Sequence, residues 1–316
     1  MWVLADDRPG NRSQCLGVAE ALGLPFRVVD VTYGPLAVLP DALLWSSLLG
    51  VSAETRRQLM PPWPDVAVGA GRRAAPVVRA VRRLSRRRSF AVQLMDPGSH
   101  RGAFDLLAVP AHDRLRERRN LLVTAGSPHR VSAAALDAAG AIWAPRLAAL
   151  PRPRIAVLVG GTTRHAVFTP AMARDLGRTV SALAAAAGGS LMVVTSRRTG
   201  AAGDALFAEI GGPHHGFRWG DPADNPYLGY LAVADAVIVT GDSASMCTEA
   251  CATAAPVYIY APDGLATDKL RRLHRTLFAA GYARPLSDGL DFWQHPPLRP
   301  ADVVAAEIRR RRSLPG

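Results

Sequence analysis

The sequence predicts an α/β protein built from two Rossmann-like domains, and three observations predict it. Short apolar runs alternate with helical patterns along nearly the whole chain, the pattern of a parallel sheet wrapped by helices. A break rich in proline and arginine, PRLAALPRPR, divides that alternation into two halves of similar size. The 316 residues, 49% of them apolar, are enough for two buried cores.

In the first half, Val3-Leu4 begins a strand and residues 14–22 follow as a helix with apolar spacing at Leu16, Ala19 and Leu22. Residues 26–31 form the second strand. After a long excursion come a strand over 65–68, a helix over 74–84, and strands over 90–94, 106–109 and 121–124. Residues 145–154 read as the linker, giving domains 1–147 and 148–316. The alternation resumes with strands over 155–159, 191–195, near Phe217, over 236–239 and over 257–259. Helices over 170–187, 203–210, 226–232 and 245–253 separate them. The tail segments 268–280 and 300–312 read as helices, the last packing back across the linker.

Bulk properties narrow the function. The net charge of +12 points to polyanionic partners such as phosphates or an anionic surface. Cys15, Cys247 and Cys251 are too few for a disulfide scaffold and have no His pair beside them for zinc. The opening MWVLADDRPG starts a strand at once, and no window approaches the roughly 18 apolar residues of a membrane span. The expected location is cytoplasmic, with peripheral attachment to the inner membrane as an option.

The strongest local signal is ADAVIVTGDSASMCTEACATAAPVYI, where a strand runs through Gly241, Asp242 and Ser243 into a helix beginning near Ser245. The free N–H groups of a helix start suit a diphosphate, Gly241 permits close backbone approach, and Ser243 and Ser245 either cap the helix or donate to phosphate oxygens. Glu249, a turn further on, is placed to accept from ribose hydroxyls; the competing reading makes it a solvated helix residue. Thr195, Ser196, Arg197 and Arg198 follow another strand, and their hydroxyls and guanidiniums form an anion clamp or a basic surface turn. Gly160 and Gly161 end the first strand of this half. No loop reads G-x-x-x-x-G-K-[ST], and Gly69-Ala70-Gly71 lacks the third glycine of G-x-G-x-x-G, which argues against a P-loop ATPase and an ordinary dehydrogenase.

In the first half, Asp6, His112, Asp113 and His129 lie after strands and are candidates for a base that takes a proton from an acceptor hydroxyl. Taken singly, each reads more readily as a hydrogen-bonding loop residue than as a catalyst. The apolar stretch Leu43-Leu44-Trp45-Ser46-Ser47-Leu48-Leu49 and the arginines 79, 82, 83, 86, 87 and 88 together allow docking on an anionic membrane surface. The alternative places the first in the core and the second on a solvated helix face. Nucleic acid is not expected, because no aromatic platform interleaves the arginines.

The ordered set WVLADDRPGNRSQCLGVAEALG, PPWPDVAVGAGRR, AVQLMDP, FDLLAVPAHD, TSRRT and NPYLGYLAVADAVIVTGDSASMCTEACATAAPV resembles the bacterial homologues of the plant mitochondrial-fission factor, the "elongated mitochondria" family. The resemblance implies a GT-B-like fold, two Rossmann-like domains facing a cleft, and a glycosyltransferase moving a sugar from a nucleotide-sugar to a cell-envelope lipid or saccharide acceptor. Some members are described as nucleoside-diphosphate-sugar epimerases, and the plant member recruits a dynamin-like protein. An NAD-independent epimerase and a non-catalytic membrane-surface scaffold are therefore the alternatives. The GT-B pattern carries donor contacts onto Ser243, Ser245 and Glu249, with Arg197 and Arg198 near the diphosphate. Asp6, Gly10 and Gln14 match the family's acceptor-side first loop, whereas Asp7 stands where glycine is expected. Met246 and Cys247 stand where many such enzymes have small residues. With no D-x-D motif, neither a metal nor another cofactor is expected.

Overall fold

The computed structural model describes residues 1–286 and 289–313 and divides into two compact units, Met1–Arg130 with Arg299–Gly316, and Val131–Leu298. The first unit begins with β1 (Trp2–Ala5), α1 (Pro9–Leu22) and β2 (Arg27–Asp30). The excursion holds a 3₁₀ turn at Pro35–Val38 and two short helices, α2 (Asp41–Leu44) and α3 (Ala53–Gln58). Then follow β3 (Val66–Ala70), α4 (Gly71–Leu84), β4 (Phe90–Leu94), β5 (Leu106–Pro110) and β6 (Leu121–Thr124). All six strands are parallel, in the order β2-β1-β3-β4-β5-β6. Strands such as VAVGA and LLAVP are buried along their whole length because helices cover both faces of a parallel sheet.

The second unit opens on α5 (Ala133–Arg146) and continues with β7 (Arg154–Val159), α6 (Pro170–Ala186), β8 (Ser190–Thr195), α7 (Ala202–Phe207) and β9 (His214–Phe217). It closes with α8 (Tyr227–Val233), β10 (Ala236–Thr240), α9 (Ala244–Ala250), β11 (Val257–Tyr260), α10 (Asp268–Ala279) and β12 (Arg284–Pro285). Its parallel order, β12-β11-β10-β7-β8-β9, is the doubly wound dinucleotide-fold order, with the switch point between β7 and β10. In the first unit the switch point falls between β1 and β3.

The final helix, α11 (Pro300–Arg312), belongs to the first unit. Its Val304, Ala305 and Ile308 pack with Val18 and Leu22 of α1. Arg309 Nη2 donates to the Leu22 carbonyl at 2.8 Å, answering a carbonyl that the end of α1 leaves without a helical partner. The expected domain boundary at 147/148 differs from the observed division after Arg130. Residues 133–146, with Ala144-Pro145 inside them, are a helix rather than the start of a linker. Trp143 fixes α5 in the second unit: it is buried, lies against Gly229 of α8, and meets Tyr230 edge-on at 6.1 Å. Pro145 sits in the last turn, where it costs α5 the single hydrogen bond that an N–H there would give to the Ala141 carbonyl.

The arginine run is used largely inside the fold. Arg79 is buried and donates from Nε to the Trp45 carbonyl at 2.7 Å, and Arg83 donates to the Ser46 carbonyl at 3.2 Å. Arg82 pairs with Asp105 at 2.6 Å. Arg79 and Arg82 are thereby turned inward to the excursion and the start of β5, which removes them from a headgroup-facing surface, whereas Arg83, Arg86, Arg87 and Arg88 are exposed. Among the described residues no helix is long and apolar enough to cross a membrane.

Candidate functional site

Ligands of open α/β sheets gather at the carboxyl ends of the strands flanking the switch point. In the second unit that place holds the loops after β7, β8 and β10, which are joined through one side chain. Asp242, its side chain wholly buried, accepts from the Gly161 N–H at 2.9 Å and from the Thr240 hydroxyl at 2.6 Å, and pairs with Arg198 at 2.7 Å. Thr240 Oγ1 in turn accepts from the Gly160 N–H at 2.7 Å. On the other side of the loop, Ser196 Oγ and Thr199 Oγ1 both donate to the Gly160 carbonyl, at 2.6 and 2.5 Å. A side chain at Gly160 would run into the Asp242 carboxylate, and one at Gly161 into the Arg198 carbonyl. Both glycines are thus required by close packing, and their N–H groups are already engaged by the protein.

That leaves other groups to meet a ligand. Arg198 keeps 32% of its side chain exposed beyond its Asp242 contact. Arg197 is exposed and makes no hydrogen bond or ion pair with a described residue. Thr195 is buried, and its hydroxyl accepts from the Trp219 N–H at 2.9 Å. Ser243 caps α9 by accepting from the Met246 N–H at 3.4 Å, and Ser245 and Met246 lie in the first turn, half-exposed. Of the two serines it is Ser243 that caps. Glu249 is half-buried and accepts from the Tyr227 hydroxyl at 2.6 Å. Burial raises its carboxyl above the ordinary range and the Tyr227 hydrogen bond partly opposes this. The solvated-helix reading of Glu249 does not describe this environment.

Two neighbours lie outside the residues that the sequence assigns to this place. His274 of α10 is buried with its ring against Gly241 and Nε2 4.0 Å from the Cys247 sulfur. Burial pushes it down to about 4, against weaker opposing effects of the Gly241 backbone and Asp242. The folded protein therefore holds His274 neutral, and its stabilising contribution is present above the ordinary histidine value and lost as pH falls from about 6.5 towards 4. Thermal melts at pH 7.5 and 4.5 should show a drop at the lower pH that His274→Leu reduces. Trp219 leaves 57% of its surface exposed just after β9, tied by its N–H to Thr195. An exposed indole at a strand's carboxyl end was there to be read in FRWGD, but the strand near Phe217 had no sharp boundary.

In the first unit Asp6 lies at the switch point. It is buried, accepting from Asn11 Nδ2 at 2.9 Å and from the Arg8 N–H at 3.1 Å. Asp7, one residue on, is exposed and pairs with Arg73 at 3.0 Å. His112 and Asp113 come together after β5, Nε2 to Oδ1 3.9 Å, both side chains nearly covered. His129 is buried, and its carbonyl presses on Gly17 of α1, where no side chain fits. Among the described residues no group of three or more His, Cys, Asp or Glu gathers in a way that could hold a metal ion.

The profile of the family described as Mitochondrial fission ELM1 matches residues 9–312. The Mitochondrial fission protein ELM1 of Arabidopsis thaliana is 26% identical over 300 residues, spanning 87% of this chain and 70% of that protein. Among solved structures, the UDP-GlcNAc 2-epimerase from Methanocaldococcus jannaschii superposes with a TM-score of 0.57 at 12% identity, covering 98% of this chain and 99% of its own. The glycosyltransferase SnogD from Streptomyces nogalater gives 0.53 at 14% identity, covering 99% and 94%. At such identities the likeness is one of fold: two Rossmann-like domains of the GT-B kind.

Proposed function

This chain belongs to the Mitochondrial fission ELM1 family, and from that premise we propose that it binds a nucleoside-diphosphate sugar and transfers the sugar to a cell-envelope lipid or saccharide. The observation that carries this reading is the switch point of the second unit, where Asp242 locks three loops and leaves Arg197, Arg198, Ser243 and Ser245 available beside them. A diphosphate suits two guanidiniums and two hydroxyls, and charge that develops on it as the sugar departs is stabilised most by donors already fixed in place. Glu249, held by Tyr227, takes the ribose hydroxyls, and Trp219 offers its face to the base. The names of the proteins sharing the fold, nucleotide-sugar epimerases and a glycosyltransferase, agree with this ligand class.

In the first unit the proton from the acceptor hydroxyl goes to Asp6, to the His112–Asp113 pair or to His129. No step requires a metal, so activity is expected to survive EDTA. The protein would act at the cytoplasmic face of the membrane that carries its acceptor.

Calorimetric titration with a panel of nucleoside diphosphates and their sugars tests the donor site. One nucleotide should bind at micromolar affinity and lose at least tenfold in Glu249→Ala. Absence of binding across the panel would instead favour a recruitment scaffold. The solved epimerases of the same fold support a second reading, separated by incubating the protein with donor alone. An epimerase converts the sugar without an acceptor, whereas a transferase only hydrolyses it slowly.

A further inference from the structure

Between the β2–β3 excursion and α4 the first unit leaves about 520 Å³ of empty space, part of it open to solvent. Much of its wall is hydrocarbon, from Leu39, Leu44 and Val51 of the excursion and Pro76 and Val77 of α4, with the buried, unpartnered hydroxyls of Tyr33 and Ser47 among them. Leu36, Val38 and Leu43, sequence neighbours of the lining leucines, keep 45, 88 and 70% of their surface exposed. Contiguous exposed apolar groups of this kind mark a binding surface.

Charge adjoins the same space. Arg72 and Arg73, in the first turn of α4, also line it. Arg73 is engaged, paired with Asp7 and lying 3.9 Å over the Tyr33 ring. Arg72 is exposed and makes no hydrogen bond or ion pair with a described residue. The start of this 14-residue helix has no side-chain cap and no acid of its own in the first turn; the acids nearest it are Asp7, on Arg73, Asp6, bridged to the Ala70 carbonyl by Asn11, and Asp96, which feels the charge of Arg72. Gln93, completely buried, donates from Nε2 to the carbonyl of Gly71, the first residue of α4, at 3.0 Å, while its Oε1 has no hydrogen-bond partner. Buried acceptors are nearly always satisfied, and this one stands at the same helix start.

We propose that the first unit binds a long-chain lipid phosphate, with its hydrocarbon chain in this cavity and its phosphate on Arg72 and the opening N–H groups of α4. A neutral lipid leaves the exposed Arg72 guanidinium and the uncapped helix start without an anion of their own, and a free anion leaves the apolar part of the wall wet. An amphiphile with a phosphate head satisfies both. Calling this molecule the acceptor rests on the transferase reading; its binding does not.

The full chain, titrated with octyl phosphate below its micelle-forming concentration, should bind at least tenfold more tightly than it binds octanol or inorganic phosphate. Arg72→Glu, at an exposed and unpaired position, should keep its circular dichroism and weaken octyl phosphate at least tenfold, as should Leu39→Asp. Octanol binding equally well would mean an apolar cavity only, and phosphate binding equally well an anion site only; either overturns the proposal. So does an unchanged Arg72→Glu, or no binding at all. UDP titrated into the same samples reports on the second unit. Failure of octyl phosphate with UDP retained rejects the lipid site alone, and the converse rejects the donor site alone.

Discussion

Asp242→Ala is expected to abolish measurable nucleotide binding and to lower the unfolding free energy by about 3 kcal/mol, the lower end for breaking a buried ion pair, because Arg198 is partly exposed. The loss has three parts. The Gly161 N–H and the Thr240 hydroxyl lose their acceptor, and Arg198 loses the charge that aims it. Gly160 would then be free to move with Thr240, and the loops after β7, β8 and β10 would no longer share an anchor. Asp242→Asn should fall between wild type and alanine, since an amide oxygen can still accept but leaves Arg198 without an opposite charge. Urea unfolding and UDP titration on the three proteins measure both effects. A wild-type midpoint for Asp242→Ala would remove the ground for treating this carboxylate as the centre of the site.

Glu249→Gln should separate stability from binding. Burial raises the folded Glu249 carboxyl above its unfolded value, so its contribution is present below the unfolded value and is lost as pH rises through the folded one. Near neutrality the ionised group is held at a cost, and an amide of the same shape avoids it. The variant is therefore expected to be more stable than wild type at pH 7.5, and to lose that advantage as pH falls below the ordinary carboxyl range. It should also bind the nucleotide-sugar at least tenfold more weakly, because an amide is a poorer acceptor for two ribose hydroxyls. Melts at pH 7.5 and below the carboxyl range, with calorimetry at the upper pH, supply both readouts. A variant less stable at pH 7.5 would show that the Tyr227 hydrogen bond outweighs the desolvation of the charge.

The strands were legible because parallel sheets buried on both faces leave continuous apolar runs such as AVIVT and LLAVP. Loop chemistry at the second switch point was legible for the same reason, since glycines, hydroxyls and arginines appear where those runs stop. What could not be read was pairing across distant segments. Nothing near Gly241 in sequence points to His274, and nothing near Arg79 points to the Trp45 carbonyl. Helix α5 was passed over because its alanine-rich sequence has little amphipathic contrast and ends in a proline that also suits a linker. Its one large buried side chain, Trp143, acquires meaning only beside Gly229. The role of Asp242 was hidden too: spacing makes it a loop carboxylate beside a diphosphate, whereas its partners make it a brace.

The helix α11 sets the order in which the chain can mature. Residues 1–130 emerge first during synthesis, yet Val18 and Leu22 are covered by side chains that lie beyond residue 300. The second unit is contiguous, so all its strands are available before the first unit has its last helix. Synthesis from the amino end usually lets the leading domain settle first. Here the face of α1 that carries Val18 and Leu22 keeps its apolar side chains uncovered by α11 until residues 300–312 have been synthesised.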